Sequence, residues 1–290
     1  MALLARLEKC DICPRKCGVN RLEGETGYCR SGRVAQVSSF TPHFGEEAPL
    51  VGSHGSGTIF MTNCNLGCIF CQNYDISQLG EGREVSPKKL AAMMLQLQEG
   101  GCHNINFVTP THFAPQILEA LVEARAMGLT VPLVYNSGGY DSVETLKLLD
   151  GIFDIYMPDA KYGSDEAARK YSDAPNYAKY MKAAIIEMYR QVGPLEIDDE
   201  GIAVRGLLVR HLVLPNDLAG TAKIVKFLAE EVSPETYLNV MAQYQPAYKA
   251  HTCPDLNRPI TLKEYANALE LARKAGLSRG VPNLLINGKP

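Results

Sequence analysis

Cys64, Cys68 and Cys71 form a Cys-x3-Cys-x2-Cys run just past the strand-like stretch Thr58-Ile59-Phe60-Met61-Thr62. Thiolates at this spacing can hold three corners of a [4Fe–4S] cubane, and no fourth Cys follows nearby. Clusters that only carry electrons normally have every iron ligated by protein. An iron left free is open to a small molecule, and so to chemistry. Structural zinc sites favour Cys-x2-Cys pairs set apart by a longer spacer, a habit this crowded triplet does not follow.

A second group precedes it: Cys10-x2-Cys13-Pro14-x2-Cys17, and then Cys29. Four thiolates complete either a tetrahedral zinc site or a closed iron–sulfur cluster. The tight triplet around Pro14 leans toward iron–sulfur and the remote Cys29 toward zinc, so both stay open. Either cross-link would stabilise a short loop-rich segment. A closed cluster could also relay electrons, whereas zinc could only hold structure.

With Phe70 just before its third Cys, the triplet resembles the signature of the radical S-adenosylmethionine (SAM) superfamily. The stretch Gly57-Thr58-Ile59-Phe60 through Cys71-Gln72-Asn73 is similar to the pyruvate formate-lyase activating enzyme branch, and within it to PflX-like proteins. The resemblance implies a partial (β/α)6 barrel of the α/β class, covering about residues 46–275. It also implies SAM chelated to the open iron and split reductively, yielding a radical that abstracts hydrogen from a small-molecule, protein or peptide substrate. A reductant such as flavodoxin or ferredoxin is implied as partner.

The same resemblance assigns further residues. Asp159-Ala-Lys161 is similar to the Asp-Leu-Lys motif of the activating enzymes, where both charged residues lie beside SAM and substrate. Arg210, ahead of His211-Leu-Val-Leu-Pro215, matches their fifth-strand arginine. Its planar fork suits a carboxylate, and a buried Arg needs an acidic partner or ligand. Asp159, Lys161 and Arg210 are therefore the expected catalytic residues and share in cofactor binding with Phe70. Asn136 and Ser137, before Gly138-Gly139, can reach ribose hydroxyls. Thr109 and Thr111, with His112, stand where the relatives carry a Gly-Gly-Glu-type motif for the methionine amine. That departure weakens the alternative reading, an activase that installs a glycyl radical on a partner protein. A third reading is a non-catalytic iron–sulfur carrier. His211, His251, Cys253 and Cys102 read more simply as ordinary wall, surface or core residues.

These residues need elements to position them. Short apolar runs at 58–62, 104–109, 131–135, 152–157, 206–214 and 236–241 read as buried parallel strands. Helix signals fall between them: Ser86-Pro87, an Asp141–Glu144 pair, Asn216 or Asp217, and a Thr261–Glu264 capping box, with stops at Gly100, Gly128 and Gly276. Six β/α units follow, and the Cys triplet sits after the first strand, at the barrel end where chemistry gathers. The expected division is a Cys-rich metal-binding segment at 1–45 and the barrel at 46–290. Residues 164–193, rich in Tyr and Lys, read as a solvated helix pair or a lid.

Composition narrows the class. With 46% hydrophobic residues and a net charge of −3, the chain can bury a core and has no broad basic face for nucleic acid. Seven of its nine Cys fall in the two metal-like groups, not a disulfide framework. The opening residues are too short for a signal peptide, and no run of ~18 apolar residues occurs. The expectation is a cytoplasmic enzyme without membrane contact.

Overall fold

The computed structural model describes residues 2–282. Its strands are β1 (Ala35–His43), β2 (Ser56–Met61), β3 (Arg83–Val85), β4 (Ile105–Val108), β5 (Leu133–Ser137), β6 (Ile155–Pro158), β7 (Glu196–Ile197), β8 (Ala203–Leu212) and β9 (Tyr237–Met241). Strands β2, β4, β5, β6, β8 and β9 pair in parallel in that order. They are the six expected strands, with ends shifted by a few residues. Helices such as Pro87–Glu99, Ala114–Ala126, Tyr177–Val192 and Leu262–Lys274 alternate with them. The result is a partial (β/α)6 barrel, as expected.

Strand alternation explains how the barrel is filled. Successive side chains point to opposite faces. Val134, Ile155, Met157 and Leu208 turn inward and pack with Leu50. Tyr135, Tyr156 and Leu207 turn outward into the large core beneath the helices. In register with Val134, Asn106 also faces inward.

Three further strands lie outside the expected set. β1 and β3 extend the sheet beyond β2, antiparallel, and β7 pairs antiparallel with β8. The β1 sequence, Ala-Gln-Val-Ser-Ser-Phe-Thr-Pro-His, lacks sustained apolar alternation. Pairing with β2, more than its own pattern, makes it a strand. Its connection to β2, residues 44–55, feeds Leu50 into the barrel, where Asn104 Nδ2 donates to the Leu50 carbonyl at 2.8 Å.

The helix starts largely follow their signals. The Ser86 hydroxyl accepts from Lys89 N, and Thr261 with Glu264 forms the reciprocal capping box. The Asp141–Glu144 pairing is corrected: Ser142 caps that helix, because Asp141 is drawn into the core by three side-chain donors. Gly220 is the cap residue before Thr221, while Asp217 Oδ1 accepts from the Thr221 N–H at 3.1 Å.

Candidate active site

The Cys loop leaves the C-terminal end of β2 through Asn63, whose positive φ of 68° suits Asn better than most residues. The loop aims three sulfurs that each meet a polar neighbour. Leu66 N–H donates to Cys64 Sγ at 3.3 Å, the Ser172 hydroxyl to Cys68 Sγ at 2.9 Å, and Ser77 Oγ lies 3.1 Å from Cys71 Sγ. Ser172 is in turn 2.7 Å from the Tyr162 hydroxyl. Burial pushes the Cys64 thiol up, and pushes Cys68 to about 11 although Lys161 pulls it back. Metal loading must therefore displace protons.

The chemistry of this donor set fits a cubane. No three His, Cys, Asp or Glu side chains among the described residues converge on a point that could hold a single ion. A cubane instead takes each thiolate on a different iron, so its sulfurs stand farther apart.

Opposite the loop lies a buried charge network at the ends of β5, β6 and β8. Arg210 Nε donates to Asp159 Oδ1 at 2.8 Å, and an Arg210 terminal nitrogen donates to Asn136 Oδ1 at 2.7 Å. Lys161 Nζ holds the other Asp159 oxygen at 2.5 Å. Burial alone would raise the Asp159 carboxyl, but Arg210 and Lys161 overcome it and hold it below its ordinary value. Burial would likewise lower Lys161, and Asp159 reverses that. Tyr177 braces the strand end: its hydroxyl accepts from Lys161 N at 3.0 Å and lies 2.8 Å from the carbonyls of Gly138 and Asp159.

Two acids join the network that sequence reasoning did not single out. Glu46 and Glu47 approach Arg210 at 3.7 and 3.8 Å, with side chains only 8% and 7% exposed. Glu47 also accepts from Asn239 Nδ2 at 3.1 Å. Burial and the neighbouring Glu47 raise Glu46 to about 7, against the pull of Arg210. An adjacent Glu pair in a loop carries no sequence signal of this role. Glu47 Oε2 and both polar atoms of Asn106 are buried without a partner. Such orphans call for another polar group in the barrel.

The other expected residues divide. Thr111, Ser137 and Tyr135 all donate to the buried Asp141, at 2.7, 2.6 and 3.0 Å, so those hydroxyls are engaged in the wall. Thr109 lies at a positive φ of 61°, a strained conformation for a β-branched residue at a strand end. The Gly138-Gly139 turn gives its room to protein: a Cβ at Gly138 would meet Leu66, and one at Gly139 the Asp159 carbonyl and Tyr177 hydroxyl. Phe70 packs edge-on against Tyr244, 5.8 Å between centroids, joining the first strand's loop to the last strand's. His211 is a wall residue, its two nitrogens 2.8 Å from Ala160 O and 2.9 Å from Thr221 Oγ1. Cys102 is a buried thiol and His251 is exposed. Residues 164–193 are no mere solvated pair, since Tyr171 and Tyr177 are buried and Ser172 reaches Cys68.

Comparison with known proteins agrees with this geometry. The family model of the radical SAM superfamily matches residues 58–193. The uncharacterized protein MJ0674 of Methanocaldococcus jannaschii is 37% identical over 280 residues, 93% of this chain and 76% of that protein. In fold, the chain is similar to HydG, a maturase of the [FeFe]-hydrogenase, with TM-score 0.51 and 12% identity over 76% of this chain and 49% of that one. It is also similar to a radical SAM methyltransferase from Sphaerobacter thermophilus, with TM-score 0.50 and 15% identity over 77% of this chain. It spans 65% of that methyltransferase and about half of HydG. A three-cysteine loop at the mouth of a six-stranded parallel barrel, together with the family match, identifies the chain as a member of the radical SAM superfamily, whose enzymes work with a [4Fe–4S] cluster and SAM.

Proposed function

We propose that this enzyme cleaves SAM reductively and abstracts hydrogen from a small polar substrate held in the barrel mouth. Cys64, Cys68 and Cys71 would hold the cluster, which when bound supplies the electron that breaks the SAM carbon–sulfur bond. The observation carrying the reading is the charge network of Asn136, Asp159, Lys161 and Arg210 facing the Cys loop, with Lys161 close enough to Cys68 to lower its thiol's affinity for a proton.

The residues' own work is binding and orientation. Arg210 offers a cationic fork already aligned by Asp159 and Asn136, which suits a carboxylate. Asp159, Glu46 and Glu47 outnumber Lys161 and Arg210 by one charge if all are ionised. The surplus takes a proton on Glu46 or meets a cationic group of the ligand. Glu46, Glu47, Asn106 and Asn239 favour a charged small substrate over an uncharged glycyl segment of a partner protein. A cytoplasmic location, a low-potential protein reductant and the division at 45/46 belong to the same reading. The end of the barrel segment, 283–290, lies outside the described residues. No helix among those described is long and apolar enough to cross a membrane.

The test is 5′-deoxyadenosine formation after anaerobic reconstitution with SAM and a strong reductant. The intact protein should form it, and Cys71→Ala should not, while Cys29→Ala should keep the catalytic cluster. Turnover retained in Cys71→Ala would overturn the assignment.

A further inference from the structure

The four N-terminal cysteines come together in space. Cys10, Cys13, Cys17 and Cys29 line one pocket with Arg15, Arg21, Gly27 and His112. The backbone is shaped for the convergence: Tyr28 N–H donates to Cys17 Sγ at 3.4 Å, and a Cβ on Gly27 would press on Cys17 at 2.7 Å. All but Cys17 are buried.

Two features of the lining bear on its occupant: a buried cation that calls for negative charge, and an imidazole lone pair that faces a metal or a donor. Arg21 is 1% exposed, yet it has no carboxylate partner among the described residues. Its guanidinium donates to Gly32 O and His112 O, and one terminal nitrogen lies 3.9 Å from Cys10 Sγ. A buried cation without a counter-charge is costly, and a metal–thiolate group carries the missing negative charge. His112 is equally buried. Its Nε2 lies 2.9 Å from Thr62 O, an acceptor, so that nitrogen carries the proton. Nδ1 then holds a lone pair with no partner.

The kind of metal follows from spacing. A single zinc needs sulfurs at about 2.3 Å from one centre, hence about 3.8 Å from one another. No three of these side chains meet around a point in that way. Four thiolates that line one pocket without meeting around a single point suit the corners of a cubane.

The quartet also touches the catalytic loop. Arg15, between Cys13 and Cys17, donates through Nε to the Asn65 carbonyl at 3.0 Å, and Asn65 follows Cys64 directly. The Asn65 side chain lies against both Cys64 and Cys13.

We propose that Cys10, Cys13, Cys17 and Cys29 hold a second, fully thiolate-ligated [4Fe–4S] cluster that passes electrons to the catalytic cluster across the Arg15–Asn65 contact. A low-potential protein donor of the ferredoxin or flavodoxin class loses one electron, and the second cluster goes from 2+ to 1+. It returns to 2+ as the catalytic cluster takes that electron, with no bond made or broken.

The experiment reconstitutes the full chain and its Cys64/Cys68/Cys71→Ala variant anaerobically with iron, sulfide and zinc, then measures metal content and the EPR of the reduced samples. About eight irons are expected in the intact protein, and about four in the variant with a reduced [4Fe–4S] signal. One zinc without iron in the variant, or no metal in a variant whose circular dichroism is native, would overturn the site. Should the triple variant not fold, Cys13→Ser in the intact background should lower iron from about eight to about four; unchanged iron overturns the proposal. For the relay, Cys13→Ser should reduce at least tenfold the ratio of catalytic-cluster reduction rates with reduced flavodoxin and with dithionite. An unchanged ratio overturns the relay. Metal content is read without SAM, so it stands or falls apart from the proposed activity.

Discussion

Arg210 donates through Nε to Asp159 Oδ1 at 2.8 Å, and the same two residues form a parallel bridge in the main chain. Side-chain and backbone contacts thus hold one geometry between the ends of β6 and β8. Arg210→Met would strand three carboxylates around a single Lys161. The expected cost is about 3–5 kcal/mol, the usual penalty for breaking a buried pair from one side. Urea unfolding measures it. Arg210→Lys should recover only part of the loss, because a point charge cannot serve Asp159 and Asn136 together. Stability unchanged in Arg210→Met would refute the network's role.

Ser172 tunes the cluster from a different helix. Its hydroxyl donates to Cys68 Sγ, and hydrogen bonds to ligand sulfur raise a cluster's potential by favouring the reduced state. Ser172→Ala should keep the iron and lower the potential by about 40 mV, the one-electron equivalent of a ~1 kcal/mol hydrogen bond. An EPR-monitored redox titration decides it; an unshifted midpoint would remove Ser172 from the cluster's environment.

Glu46 gives the protein a pH-dependent stability. Its carboxyl is raised by burial to about 7, above its ordinary 4.5. The folded state therefore holds this proton more tightly than the unfolded chain. The stability it contributes is fully present below about pH 4.5 and is lost as pH rises through 7. Glu46→Gln should remove this decline, gaining about 1–3 kcal/mol relative to the parent between pH 5 and pH 8. Parallel melting-temperature profiles for the two proteins would contradict it.

Tyr177 connects the helix Tyr177–Val192 to the strand ends beside the charge network. Tyr177→Phe leaves the Lys161 N–H without its acceptor and removes the one hydroxyl proton that the Gly138 and Asp159 carbonyls share. The expected destabilisation is about 1–3 kcal/mol, with weaker SAM binding because the Lys161 backbone loses its hydrogen-bond anchor. Calorimetric melting and equilibrium dialysis test the two effects separately. A native melting temperature with unchanged SAM affinity would show that the hydroxyl is dispensable.

Local chemistry made much of this legible in the sequence alone. Cysteine spacing is a covalent property of a short loop, so both thiolate groups could be read without a fold. The six parallel strands were equally open, because being covered on both faces makes each a short apolar run. The Ser86 and Thr261 caps depend only on residues three apart. What the tertiary structure alone decided involves pairs distant in sequence. Glu46 and Glu47 meet Arg210 only because the β1–β2 connection enters the barrel, and Asp141 left its expected cap because Thr111, Tyr135 and Ser137 converge on it. Ser172 reaches Cys68, and Arg15 reaches Asn65, across more than forty positions. No local periodicity encodes such contacts. They follow from strand order and from the need of each buried polar group to find a partner.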